Sequence, residues 1–505
     1  MTARWWQRVT AFITLATAWR LLAPTVADPD LWGHILFGQR TMSLGLERED
    51  PFSYLSGGHG WINHEWLSEV AFGFVYDGIG AVGLITLKLV VALLTVGLMY
   101  WHLVRRGSDA LRSGLLLLPA LFIMIPGFAT VRPQMFTFLF FCISIIVLHQ
   151  VETRSMNWIW ALPVILTVWI NFHGGVLAGA GMMGIWGIAR VVEACFAKER
   201  REAIIALWRP VAAGVACLLA LFLNPYGWGL PEFLLRTATV PRPDIVEWQS
   251  LNVMSVPGFI YLSITIFTAV TLARSPAPRR PALITLLAAL VLLPLTAVRH
   301  LQLFAIGVPI LLADDFAAVW QRKQVPVASG AWEKSIVTGV TLVASVILIV
   351  LGAREATCIR IAPERAIAYP VRAVEWLERS GVQGNMATYF DWGEYAIWHL
   401  YPDIRVGMDG RRETVYSEEA YQEYLAFQRG TPGWRAVVDN PETDLVLFSK
   451  IWPAYQLVDL DPGWDLLYED VIGGVFVRAG HPITAALRAT EPGDLPPTGA
   501  GMCVP

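Results

Sequence analysis

The sequence predicts a polytopic α-helical membrane protein with about eleven transmembrane helices, followed by a small soluble α/β domain. Three observations carry this. Of the 505 residues 55% are hydrophobic and only 16% charged, with a mean hydropathy of +0.50, which no ordinary soluble globule shows. Basic stretches alternate regularly with loops poor in Lys and Arg. Beyond residue 354 the long apolar runs give way to short alternating strands and amphipathic segments.

A hydrocarbon core about 30 Å thick needs roughly 20 apolar residues per helix. Candidate spans fall near 8–26, 81–103, 112–128, 133–150, 157–171, 174–195, 205–223, 256–273, 281–297, 300–319 and 334–353. The first has the basic start and apolar run of a signal peptide but no clear small-x-small cleavage site, so it reads as a retained span. The basic stretches "HLVRRGSDALR", "AKERREAIIALWR", "LARSPAPRRP" and "WQRKQ" all fall on one side of this pattern. The positive-inside rule therefore places the N-terminus in the cytoplasm of a multi-pass plasma (inner) membrane protein, and residues 27–80, 129–132, 171–173, 224–255, 298–299 and all after 354 outside. In the long first outer loop, 31–44 and 64–77 mix Trp, Phe and Leu with His, Arg and Glu, as surface helices do.

The expected domains are thus a membrane domain 1–353, an extracytoplasmic α/β domain 354–480 with strands such as "NMATYF", "DLVLFS" and "GGVFVR", and a disordered tail 481–505 rich in Pro, Gly and Ala. The formal net charge of −3 gives no electrostatic support for a nucleic-acid partner. Cys142, Cys195 and Cys217 lie in or beside apolar segments. Cys358 and Cys503 could pair if their region faces an oxidising compartment.

The polar clusters are Asp28-Pro29-Asp30 with His34, then Asp50, Asn63-His64-Glu65, Arg132, Asn171 with His173, Asn224, Glu247 and Arg299-His300. In the topology above all sit on the outer face, and ionisable groups near hydrocarbon are costly enough that their convergence points to a shared cavity. Asp28 or Asp30 could act as a general base or coordinate a cation, though Asp-Pro-Asp is equally good turn chemistry. Arg132 and Arg299 could hold a phosphate through a planar fork of donors, with His300 beside them, or could snorkel to headgroups. His34, Asp50, His64, Glu65, His173 and Glu247 are candidate substrate contacts. A divalent metal is possible, but no two histidines share a helical i, i+4 face. Asn171 and Asn224 are expected to brace helix ends.

The string "DPDLWGH…DPFSY…WINHEWLSEV", followed by "RPQMFTF", "NFHGG" and "NPYG", resembles bacterial family-39-like enzymes of the GT-C superfamily of membrane glycosyltransferases. The likeness covers most of the membrane region. It implies a polyprenyl-phosphate-linked sugar as donor, a lipid, glycan or protein acceptor, and an acidic residue of the first outer loop as base, here Asp28 or Asp30. Family-39 enzymes usually show Asp-Glu at that site, so Asp-Pro-Asp leaves the base undecided. "FDWGEYAIWHLYPDIRVGMDGR" is loosely similar to the Trp-Trp-Asp-Tyr-Gly region of oligosaccharyltransferases at Asp391, Trp392, Gly393 and Tyr395. That match implies an acceptor-binding segment; the bland reading makes Trp392 and Tyr395 core residues.

The expected function is sugar transfer by inverting displacement on the extracytoplasmic face, within the cell envelope. A transporter or lipid flippase could use the same charged cavity, but inverted halves and mid-membrane charges are not evident in the sequence. A non-catalytic scaffold would give the polar clusters no reason to meet.

Overall fold

The computed structural model describes residues 2–56, 60–240, 246–320, 331–362 and 368–504. Two compact units emerge. One comprises Met1–Thr25, Ile85–Ala129 and Pro133–Thr357; the other comprises Val26–Leu84, Thr130–Arg132 and Cys358–Pro505. The division is therefore not a single cut near 353, because the first outer loop folds together with the C-terminal region.

The first unit is helical. Each of the eleven apolar segments read from the sequence forms helix, but they differ in length. Among the described residues six helices are long and apolar enough to cross a membrane: Trp66–Arg105, Gln134–Thr153, Val176–Phe196, Arg200–Ala220, Val256–Arg274 and Ser335–Glu355. The pair Val298–Leu311 and Ala313–Val319 is bent by 54° where the sequence suggests one straight span, and counts as a seventh only when taken as one broken span. Ala110–Met124, Met156–Phe172 and Pro281–Leu295 are shorter apolar helices, and Thr2–Leu22 completes the set. Prolines set some of these limits: Ala110–Met124 stops just before Pro126, and Pro294 stands in the last turn after Leu292. Inside this unit Lys88 is fully buried on an otherwise apolar stretch and donates to the Thr25 hydroxyl at 2.6 Å and the Pro24 carbonyl at 3.1 Å. Those bonds supply the partners a buried ammonium requires.

The helix Trp66–Arg105 breaks at Gly80, whose φ of 63° and ψ of −153° suit a residue without Cβ. The break falls where the sequence suggests a surface helix ending near 77 and a span beginning at 81.

The second unit is built on a five-stranded sheet. Its strands are β1 (Gly384–Thr388), β2 (Ile404–Val406), β3 (Leu445–Ser449), β4 (Trp464–Glu469) and β5 (Gly473–Arg478), in the order β2-β1-β3-β5-β4. β1 runs parallel to β2 and β3, whereas β5 pairs antiparallel with β3 and β4. Every residue of β3 is buried, as expected of a continuous apolar strand covered on both faces. The amphipathic helix Val371–Ser380 buries Val371, Val374, Trp376 and Leu377 and ends on Gly381 in the left-handed conformation.

Backbone pairing explains why the first loop belongs to this unit. The Tyr54 N–H donates to the Val406 carbonyl at 3.1 Å and the Val406 N–H to the Phe52 carbonyl at 3.0 Å, so residues 52–54 extend the sheet beyond β2. The Ala27 N–H donates to the Arg360 carbonyl at 2.9 Å. The tail read as disordered is instead tied in: Thr484–Ala489 is helical, the Ile361 N–H donates to the Met502 carbonyl at 3.0 Å, and Cys358 and Cys503 form a disulfide. The disulfide joins the two cysteines that lie outside the apolar segments, a pairing the sequence allowed, whereas composition gave no sign of the backbone bonds.

Candidate active site

Within the second unit the acidic turn, the 130–132 segment and one end of the sheet domain meet. The Asp30 N–H donates to Asp28 Oδ1 at 3.1 Å, closing the short turn that starts the helix Leu31–Leu44. Arg132 then reaches across both carboxylates, with Nε 2.8 Å from Asp28 Oδ2 and Nη2 2.6 Å from Asp30 Oδ2. Asp28 is the buried member, with a side chain 9% exposed, while that of Asp30 is 27% exposed and can meet another molecule. The sequence brought these three to one face; the fork is what the structure adds.

Behind them lies a second cluster. His34 Nδ1 is 3.1 Å from Glu69 Oε1 and 3.9 Å from Glu65 Oε2, the Asn63 amide donates to Glu69, and His64 Nε2 is 3.6 Å from Glu65. Burial alone would lower the His34 pKa, but the hydrogen bond to Glu69 and the charges of Glu65, Glu69 and Asp30 outweigh it and raise it to about 9. The ring is therefore an imidazolium at neutral pH. Donor atoms of His34, Glu65 and Glu69 lie within 4.8 Å of one another, a spacing a divalent cation could take in place of the imidazole proton. As it stands the group is satisfied by its own hydrogen bonds.

This gives a signed pH dependence. Because the folded pKa stands above the ordinary 6.5, the stabilisation is fully present below 6.5 and is lost as the pH rises through about 9. It should amount to on the order of 3 kcal/mol for a group this buried. Thermal unfolding measured across that window should show stability falling toward high pH in the wild type and much less in His34→Gln; parallel curves would remove the assignment.

Asp50, expected to contact substrate, does something else. Its side chain is fully buried, accepts from the Phe52 and Ser53 N–H groups at 3.0 and 3.2 Å, and binds Arg411 Nη1 at 2.8 Å. Arg411 also forks onto Asp409, with Nε 2.8 Å and Nη2 2.7 Å from its two oxygens, and the Tyr416 hydroxyl donates to Asp409 at 2.7 Å. The guanidinium sits about 5 Å from the rings of Phe37, Phe52 and Trp61. These bonds tie the 50–53 loop to the segment after β2.

The segment 389–395 supplies two carboxyls. Asp391 accepts from the Tyr389 hydroxyl, and burial, with Asp30 nearby, lifts its pKa against the pull of Tyr389 and Arg132. Glu394 is 4% exposed, and burial followed by the charges of Asp30 and Asp409 holds it well above the usual carboxylate range. Trp392 and Tyr395 are core residues, 1% and 4% exposed, with the indole donating to the Ala368 carbonyl at 2.7 Å. Asp409 and Arg411 pair locally, but Arg411's bond to Asp50 and the Asp30 charge beside Glu394 come from the far end of the sequence, which no local signature names.

The remaining candidates belong to the first unit. Arg299 stacks on Trp248 with its guanidinium carbon 4.3 Å from the ring centroid. His300 Nδ1 is 3.1 Å from the Leu293 carbonyl oxygen. His173 accepts from the Gly175 N–H at 2.8 Å and bonds the Thr137 hydroxyl at 2.8 Å, so it closes a turn. Asn171 donates to the Thr167 and Leu223 carbonyls, and Asn224 to those of Leu221 and Gly227, as braces. Glu247 lies on the short turn Val246–Trp248.

No family model matches the chain, and no curated protein matches it. Solved structures do. ArnT from Cupriavidus metallidurans bound to undecaprenyl phosphate aligns at a TM-score of 0.54 and 12% identity over 95% of this chain and 99% of that one. The Archaeoglobus fulgidus oligosaccharyltransferase in the apo form gives 0.55 and 11% over 88% and 70%. The mycobacterial arabinofuranosyltransferase AftD gives 0.52 and 16% over 95% of this chain and 40% of that one.

Proposed function

We propose that this chain, which has the fold of the GT-C membrane glycosyltransferases, moves a sugar from a polyprenyl-phosphate donor to an acceptor on the extracytoplasmic face by inverting displacement. The observation that carries the reading is Arg132 forked across Asp28 and Asp30, with Asp30 the more accessible carboxylate. Asp30 takes the proton of the acceptor hydroxyl as that oxygen attacks the anomeric carbon, and the bond to the phosphate oxygen breaks with its electron pair leaving on the phosphate. Arg132, bridged to Asp28, holds the Asp30 carboxylate in place. A donor of this kind is lipid-linked, so its tail partitions among the apolar helices while its phosphate needs cationic partners at their ends. Arg132 in the second unit is one proposed partner; Arg299 and His300 in the first unit are separate candidates, each tested by itself. With this assignment goes the proposed topology, N-terminus in the cytoplasm and the second unit outside.

The test is donor affinity and turnover in membranes for Arg132→Lys, Arg132→Ala, Arg299→Lys and Arg299→Ala. Charge-assisted bonds to phosphate contribute about 1.5–3 kcal/mol, so each Ala change should weaken donor binding by roughly tenfold or more, and Lys should recover only part because it loses the fork. Indifference to both Ala changes would place the phosphate elsewhere.

A further inference from the structure

Glu394 has no task in the mechanism above, yet its surroundings are specific. It stands at the start of the helix Gly393–Leu400, and its Oε2 is buried without a hydrogen-bond partner among the described residues. Two glycines make room for it. A Cβ on Gly33 would stand 2.0 Å from Glu394 Oε2, and a Cβ on Gly410 would stand 2.9 Å from Glu394 Oε1 and 2.6 Å from Asp30 Oδ1. The Glu394 and Asp30 carboxyls therefore flank one small gap.

The charged groups facing Glu394 come from three segments: Asp30 ahead of the helix Leu31–Leu44, Glu69 in the first turn of Trp66–Arg105, and Asp409 with Arg411 from the loop after β2. All are acidic except Arg411, and Arg411 is already forked onto Asp409 and bonded to Asp50. Arg132 is likewise shared between Asp28 and Asp30. An ionised carboxylate at Glu394 would be buried among like charges with a bare oxygen, an arrangement that retaining a proton relieves.

We propose that Glu394 is a positioning residue that stands beside Asp30 as a neutral carboxylic acid, leaving Asp30 the ionised member of the pair. Paired acids in environments that separate their protonation states divide their roles in this way. The inference rests on the reading of Asp30 as the base.

The experiment compares the full-length wild type with Glu394→Gln and Glu394→Ala. Infrared difference spectra at neutral pH should show a protonated-carboxyl carbonyl band that disappears in Glu394→Gln. In the transfer assay Glu394→Ala should lose about tenfold as Asp30 loses its neutral neighbour, and Glu394→Gln, which keeps the neutral shape, should recover most of that loss. Wild-type turnover should fall at alkaline pH as Glu394 ionises, and Glu394→Gln should lack that limb. Absence of the band, or a Gln variant as inactive as Asp30→Asn, would overturn the proposal. If the wild type transfers no sugar at all, the functional reading fails while the band still decides the state of Glu394.

Discussion

Asp30→Asn is expected to lower sugar transfer by about a hundred- to ten-thousandfold, the usual contribution of a positioned general base. The carboxamide keeps the shape and can still approach Arg132 through its oxygen, but it cannot take a proton at neutral pH. Because Asp30 is the more exposed of the two aspartates, the substitution should leave folding nearly intact. Asp28→Asn should behave differently: Asp28 is buried, accepts from the Asp30 N–H and binds Arg132, so its loss should cost both orientation and stability with a smaller effect on the chemical step. Full turnover in Asp30→Asn would remove the base assignment, and the reverse ranking of the two variants would transfer it to Asp28.

The second large effect concerns folding. Arg411→Met should destabilise the second unit by about 3–5 kcal/mol, because removing one partner of a buried ion cluster leaves the others uncompensated. Asp50 and Asp409 are both fully buried and would be left facing each other without the guanidinium. Arg411→Lys should fall between, since the ammonium keeps the charge but cannot bind both carboxylates through three fixed donors. Unfolding followed by protease accessibility of the second unit in membranes checks this; a Met variant as resistant as the wild type would show that the cluster adds nothing net.

The parts of this site that were legible in the sequence are those whose signal is local. Asp28 and Asp30 stand out because carboxylates directly after an apolar run are costly, and Arg132 because it interrupts two such runs. The apolar segments were legible from hydropathy, whereas the 54° bend within 298–319 was not, because a broken helix and a straight one can share one composition. The ion pair of Asp50 was not legible because nothing near it in sequence names Arg411, its partner 361 residues away. Glu394 was hidden for the same reason, inside a segment whose Trp392 and Tyr395 do read correctly as core. Composition misled at the tail, where backbone bonds and the Cys358–Cys503 disulfide hold a Pro- and Gly-rich stretch in place.

Sugar transfer from a lipid phosphate and proton removal by Asp30 are tested together. The most direct measurement is transfer of labelled sugar from a panel of polyprenyl-phosphate sugars by the purified full-length protein in lipid vesicles, wild type beside Asp30→Asn, with the anomeric configuration of the product determined. One donor should yield a product of inverted configuration in the wild type, formed at least about a hundredfold more slowly in Asp30→Asn. Retained configuration, or equal rates in the two proteins, would contradict it.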